Sequence, residues 1–184
     1  DSNHWAQETI EIFASLNLVN GYADGSFKPN GDITRAEFIS VIVRAFGISS
    51  TPNTSSFNDV PENAWYGSAV NAAHAAGIIN GTGNGDFNPD ASMSRQDILV
   101  ILNRLVNFEK FSNANPTIVD FDQTSDYAKS AVQNALNAGV LKGKGNGMID
   151  SLSSATRAEA IHLILESVKL DPAVKALLEK LLTK

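Results

Sequence analysis

Cysteine is absent from all 184 residues, which removes disulfide frameworks, thiolate metal sites and cysteine nucleophiles together. There is no apolar run long enough to span a bilayer. Nor does the chain open on a basic-then-apolar leader, so it reads as mature, internal or excised sequence. Positive charge is scarce: 14 Lys and Arg stand against 20 Asp and Glu, for a net charge of −6. Bulk electrostatics therefore favour neither nucleic acid nor an anionic membrane, and any anionic partner must be held locally. Histidine is rare as well. His4, His74 and His162 share no common position and fall in no zinc or nucleophile motif. What remains is 43% hydrophobic residues, enough for a buried core in one or two ordinary domains or a short repeat array.

The repeat is the main fact in the sequence. "NGYADGSFKPNGDITRAEF" at 20–38 returns as "NGTGNGDFNPDASMSRQDI" at 80–98 and "KGKGNGMIDSLSSATRAEA" at 142–160. Trp5, Trp65 and Tyr127 stand 60 and 62 residues apart, and the same register relates Gly21, Gly81 and Gly143, then Phe27, Phe87 and Ile149, then Arg35, Arg95 and Arg157. A repeated array spreads its residues over equivalent positions, which argues against a single asymmetric catalytic constellation.

Each repeat carries two helical patterns around its glycine loop. In the first, Trp65, Ala69, Ala72 and Ala76 follow helical spacing, and Gly77 sits where a helix would stop. In the second, Phe38, Val41, Ile42 and Ala45 recur as Ile98, Ile101, Leu102 and Leu105, then as Ala160, Leu163, Ile164 and Ser167. The unit is helix, loop, helix. The polar, proline-bearing stretches 47–63 and 107–126 suit exposed connections between repeats. Beyond the third repeat, Asp171 and Pro172 read as a cap and a first helical residue. Val174, Leu177, Leu178, Leu181 and Leu182 then suggest a last amphipathic helix. Phe57-Asn58-Asp59-Val60 precedes the second repeat, whereas its counterpart in the first would fall before residue 1, so a longer chain is expected.

Thr34 with Glu37 and Thr156 with Glu159 have capping-box spacing, and Ser94 with Asp97 is a shorter version. The arginines between them are harder to explain. A cation in the first helical turn faces the positive end of the macrodipole, at a cost of about 0.3–1 kcal/mol unless an anion lies nearby. Two anions would answer: a carboxylate from a neighbouring repeat, or an exogenous one held by the guanidinium fork and free backbone N–H groups together. Spacing alone favours the internal salt bridge. The glycines admit two roles at once. Gly21, Gly81 and Gly143 can end the preceding helix, Gly25, Gly85 and Gly147 can supply positive φ in a turn, and either set would let backbone donors approach a ligand. Trp5, Trp65 and Tyr127 read as core anchors of the first helix, with an exposed sugar platform as the alternative. A calcium loop fails, because the twelfth position counted from Asn20 or Asn80 is Gly31 or Ala91, and the third loop opens on Lys142.

A tryptophan-bearing first helix followed by "NLVNGYADGSFKPNGDITRAEF" strongly resembles the surface-layer homology (SLH) motif, and the three copies cover nearly the whole chain. Ser94-Arg95-Gln96-Asp97 is a variant of the helix mouth. The third copy departs further, with Tyr127 for tryptophan and "GMIDS" for "GSFKP", while Thr156-Arg157-Ala158-Glu159 is intact. The resemblance implies an all-α, pseudo-threefold array of three helix-loop-helix motifs around a central three-helix bundle, with grooves between adjacent motifs. The motifs span 1–50, 51–110 and 111–170, with a C-terminal helix at 171–184. It further implies a noncovalent anchor that binds a pyruvylated secondary cell wall polysaccharide linked to peptidoglycan, the pyruvate being ketal-linked to N-acetylmannosamine. Peptidoglycan itself is a second candidate partner, and a larger surface protein is expected in the same chain, at the cell wall or S-layer of a Gram-positive bacterium. The alternative is a surface-layer assembly module that does not touch glycan. No cofactor, metal, membrane span or catalytic residue is implied. Carried onto matching positions, the pattern gives Arg35, Arg95 and Arg157 to the acid and Gly21, Gly81 and Gly143 to close approach of the sugar. Asp24, Trp5 and Trp65 are further ligand contacts. The departures in the third repeat set its groove, and any groove sharing its loop, apart from the pattern.

Overall fold

Every second helix begins where its capping chemistry dictates. The computed structural model describes residues 3–49, 57–111, 117–144, 146–172 and 174–176. Within them lie α1 (Gln7–Ser15), α2 (Arg35–Ala45), α3 (Gly67–Ala75), α4 (Arg95–Val106), α5 (Asp126–Asn137) and α6 (Arg157–Val168). Two single 3-10 turns, at Phe108–Lys110 and Phe121–Gln123, complete the described elements. The fold is all-α, as the periodicity implied. At α2 the Thr34 hydroxyl accepts from the Glu37 N–H while the Glu37 carboxylate accepts from the Thr34 N–H. Thr156 and Glu159 repeat this box at α6. At α4 the Ser94 hydroxyl accepts from the Asp97 N–H. The described start of the last helical stretch has the expected cap, Asp171 accepting from the Val174 N–H at 3.3 Å. Leu177, Leu178, Leu181 and Leu182 lie outside the described residues.

The chain divides into two compact units, Asp1–Met93 with Ser154–Ile161, and Ser94–Ser153 with His162–Lys184. In the first, α2 packs against α3 and buries Phe38, Ile39 and Ile42, along with Phe13 of α1 and the loop residue Phe87. Ile33, Met93 and Ala155, each one residue before a helix cap, close a ring of three backbone hydrogen bonds. Ile33 N–H donates to Ala155 at 3.0 Å, Met93 N–H to Ile33 at 3.0 Å, and Ala155 N–H to Met93 at 2.8 Å. In the second unit α4 packs on α5, burying Ile98, Leu102, Val132 and Leu136.

Two expectations need correcting. The first helices end at left-handed Asn17, Gly77 and Gly139, Gly77 being where the spacing put the stop, and not at Gly21, Gly81 and Gly143. Those three glycines instead sit under a tight loop, where the next N–H meets the carbonyl four residues on: Tyr22 to Ser26, Thr82 to Asp86 and Lys144 to Met148. The reason for glycine is sharpest at Gly81, whose φ is +72° and whose added Cβ would stand 2.6 Å from both the Asp86 carbonyl oxygen and the Phe57 ring. We expect Gly81→Ala to lower the unfolding free energy by about 2–3 kcal/mol in urea melts, from left-handed strain plus overpacking. The second correction concerns the connections, which are not simply exposed. Phe57, Val60, Phe108, Asp120 and Thr124 are all buried.

Candidate functional site

At the start of α2 a chain of three or more residues must leave a loop, satisfy the orphan N–H groups of a helix and place an arginine. The structure solves all three with carbonyls from other repeats. Arg35 N–H donates to Ala91 and Ala36 N–H to Pro89, both at 2.9 Å. At α6 the acceptors for Arg157 and Ala158 are Gly31 and Pro29, and at α4 those for Arg95 and Gln96 are Ser153 and Ser151. The third N–H of each helix is taken by its cap hydroxyl. The first three N–H groups of each of these helices are therefore already taken by protein acceptors and are not open to an exogenous anion, which corrects that half of the expectation.

The arginines lock the same junctions. Arg35 Nε donates to the Phe87 carbonyl at 2.8 Å, Arg95 Nε to Ile149 at 2.7 Å, and Arg157 Nε to Phe27 at 2.9 Å. One register position thus reaches one loop position in another repeat, three times over. The guanidinium also lies over the loop aromatic where there is one, 4.9 Å from the Phe87 ring for Arg35 and 4.6 Å from the Phe27 ring for Arg157. Arg157 has the internal anion that spacing favoured: its Nη1 is 2.7 Å from a Glu37 carboxylate oxygen, and its Nη2 is 3.3 Å from the Asn20 carbonyl. Tyr22 donates its hydroxyl to that same Glu37 oxygen at 3.0 Å. Burial raises the Tyr22 pKa above that of a free phenol, Arg157 pulling it down and Glu37 pushing it up.

Two acids that sequence reading left without a role hold the loops in place. Asp59 accepts from the N–H groups of Phe87 and Asn88, both at 2.7 Å, and Asp120 from those of Ile149 and Asp150, both at 2.8 Å. Asn88 and Asp150 are left-handed, at φ 58° and 56°, so each carboxylate braces a bend that presents the preceding carbonyl to an arginine. The available signal was the recurrence of the acids 28 and 29 residues before Phe87 and Ile149.

Beside the Arg157–Glu37 pair opens a cleft of about 800 Å³. Its walls are the loop from Val19 to Ala23, the α2 residues Ala36, Glu37, Ser40 and Arg44, then Trp65, Asp90 and Arg157. All of these belong to the first unit. Of the candidate ligand residues the cleft gathers Gly21, Trp65 and Arg157; Asp24, Arg35, Gly81 and Trp5 do not line it. Arg95 and Gly143 serve the junctions and loop described above. Asp24 instead accepts from the Ser26 N–H and hydroxyl, and this pair of bonds, helped by Lys28, lowers its pKa. Arg44, which sequence reading passed over, is exposed and reaches the Leu18 carbonyl at 3.3 Å.

The aromatics of the first-helix pattern are not core anchors. Trp5, Trp65 and Tyr127 are 61, 65 and 63% exposed. The register explains the error, since α3 starts only at Gly67 and its buried residues are Gly67, Val70, Asn71, Ala72 and Ala73, a face that Trp65 precedes. Tyr127 sits in the first turn of α5 with its hydroxyl donating to Asp97 at 2.6 Å. The ring is exposed but its hydroxyl is partly desolvated between Gln96 and Asp97, and that desolvation, with the Asp97 carboxylate beside it, pushes the pKa up to about 12.

Comparison with known proteins accords with this architecture. A curated relative, the amylopullulanase of Thermoanaerobacterium thermosulfurigenes, is 34% identical over 166 residues, covering 88% of this chain and 9% of its own length. Exoglucanase XynX of Acetivibrio thermocellus is also 34% identical over 166 residues, covering 88% of this chain and 15% of its own length. The S-layer protein sap of Bacillus anthracis is 26% identical over 170 residues, 91% of this chain and 20% of its own length. This chain therefore spans less than a fifth of the length of the first two. Among the described residues, no helix is long and apolar enough to cross a membrane. The S-layer homology domain profile matches residues 1–39, 56–99 and 118–161, well over half of the sequence, and the chain belongs to that family.

Proposed function

We propose that the chain is the cell-wall anchoring module of a larger surface protein, and that the cleft beside α2 binds an acidic wall polysaccharide. The observation that carries this is the cleft itself. Its volume of about 800 Å³ lies in the range of ligand sites, and it joins an exposed tryptophan face, a close-approach loop and two arginines in one wall. A pyruvylated N-acetylmannosamine presents the matching groups, an apolar sugar face and a ketal carboxylate. Trp65 offers its ring to the sugar. Arg157, a wall residue of the cleft, uses three of the five guanidinium N–H groups internally, which leaves two for a ligand, and Arg44 supplies an exposed fork. With a net charge of −6, long-range attraction to a polyanion is missing, so recognition depends on these contacts. Repeated engagement along one polymer raises retention through effective concentration.

Sedimentation with purified wall sacculi, intact and stripped of secondary polymer, tests the reading. Binding should require the polymer. Trp65→Ala and Arg44→Ala should each weaken it, by roughly tenfold or more, since a truncated aromatic or arginine anchor costs about 1–3 kcal/mol. Both side chains are exposed, so melting temperature should stay within about 2 °C of wild type. Equal binding to stripped sacculi would turn the function toward protein–protein assembly.

A further inference from the structure

The positions that open the cleft at α2 are differently filled at α4. Ala36 and Trp65 correspond in the repeat register to Gln96 and Tyr127, and Glu37 corresponds to Asp97. Where Ala36 and Trp65 leave space, Gln96 and Tyr127 close a network. The Tyr127 hydroxyl donates to Asp97 Oδ1 at 2.6 Å and accepts from Gln96 Nε2 at 2.9 Å. Gln96 Nε2 also donates to the Ser125 hydroxyl, and Gln96 Oε1 accepts from the Ser125 N–H, both at 3.0 Å. The other oxygen of Asp97 accepts from the Ser94 hydroxyl at 2.6 Å. Gln96 is only 4% exposed. The polar side-chain atoms of Gln96, the Tyr127 hydroxyl and both Asp97 oxygens are each bonded to another protein atom, and opening the network would orphan a buried amide.

We propose that Gln96 and Tyr127 form a latch that closes the mouth of α4 to the ligand taken at α2, so that the repeats are unequal in binding. The two residue changes are complementary: glutamine fills the volume that alanine leaves, and tyrosine supplies the hydroxyl that tryptophan lacks. The inference rests on the reading of the α2 cleft as a glycan site.

The test is calorimetric titration of the full chain with the methyl glycoside of pyruvylated N-acetylmannosamine. Gln96→Ala/Tyr127→Trp should bind one sugar more than wild type, and the converse Ala36→Gln/Glu37→Asp/Trp65→Tyr should bind one fewer. A folded Gln96→Ala/Tyr127→Trp variant with an unchanged sugar count would overturn the latch, as would loss of a site in Tyr127→Ala. Absence of any binding by wild type would sink the glycan reading, and a second measurement then still judges the latch. In proton NMR of the unliganded chain, the Tyr127 hydroxyl proton should be a slowly exchanging downfield resonance that Gln96→Ala weakens. If it exchanges with solvent as an exposed phenol does, the latch is not there.

Discussion

Arg157→Met should lower the unfolding free energy by about 3–5 kcal/mol, the usual cost of removing one partner from a buried ion pair. The side chains of Arg157 and Glu37 are 8 and 17% exposed, and the pair is only part of what is lost. The same guanidinium holds the Phe27 carbonyl 130 residues away and the Asn20 carbonyl 137 residues away, so the variant unties the first turn of α6 from the first loop. Urea unfolding read by linear extrapolation gives the number. Arg157→Lys should recover little of it, because an ammonium has no planar fork to serve Glu37 and two carbonyls at once. A cycle with Glu37→Gln then isolates the pair, with an expected coupling of at least about 1 kcal/mol. A loss below about 1 kcal/mol in Arg157→Met would mean that the junction does not need the arginine. The residue would then be there for the ligand alone, which is the alternative that sequence spacing disfavoured.

That test separates what local sequence could reveal from what it could not. The capping boxes were legible because donor and acceptor lie three residues apart, and the repeat register was legible because it needs no structure. The task of the arginines was not. Their acceptors stand 52, 54 and 130 residues away, so periodicity had no means to name them. Sequence correctly posed the problem, a cation at the wrong end of a dipole, and offered an internal carboxylate as one answer. Glu37 is that carboxylate for Arg157, but the shared feature of all three positions is a loop carbonyl. The exposed aromatics misled for a different reason. Burial was inferred from residue type, whereas Trp5 and Trp65 stand two residues ahead of their helices and do not inherit the phase of the buried face, and Tyr127, in the first turn of α5, lies off it. The cleft was partly legible: Gly21, Trp65 and Arg157 were singled out, but Arg44 and Ser40 sit inside the helix and carry no motif. Most telling are Gln96, which read as a variant of the helix mouth, and Tyr127, which read as a departure of the third copy, because the two are bonded to each other.

Asp120 offers the other large effect, and it probes the loop rather than the helix. Asp120 is 4% exposed, and its carboxylate takes two successive backbone N–H groups, those of Ile149 and of left-handed Asp150. Asp120→Ala leaves both donors without their acceptor, and hydrogen bonds to a charged group contribute about 1.5–3 kcal/mol each, so a loss of about 3–5 kcal/mol is expected. Asp120→Asn should lose nearly as much, because the amide can accept one N–H but turns its own donors toward the second. Hydrogen exchange at the Ile149 amide should quicken in both variants. The loss should also reach Arg95, whose Nε depends on the Ile149 carbonyl that this carboxylate aims. Asp59 makes the same two bonds in the first unit but is less buried, so water can replace part of what Asp59→Ala removes. We therefore expect Asp59→Ala to cost about half as much. Equal losses at the two sites would mean that the clamp works by shaping the left-handed bend, independent of burial; a negligible loss at Asp120 would mean that the loop holds its carbonyl toward Arg95 without the acid.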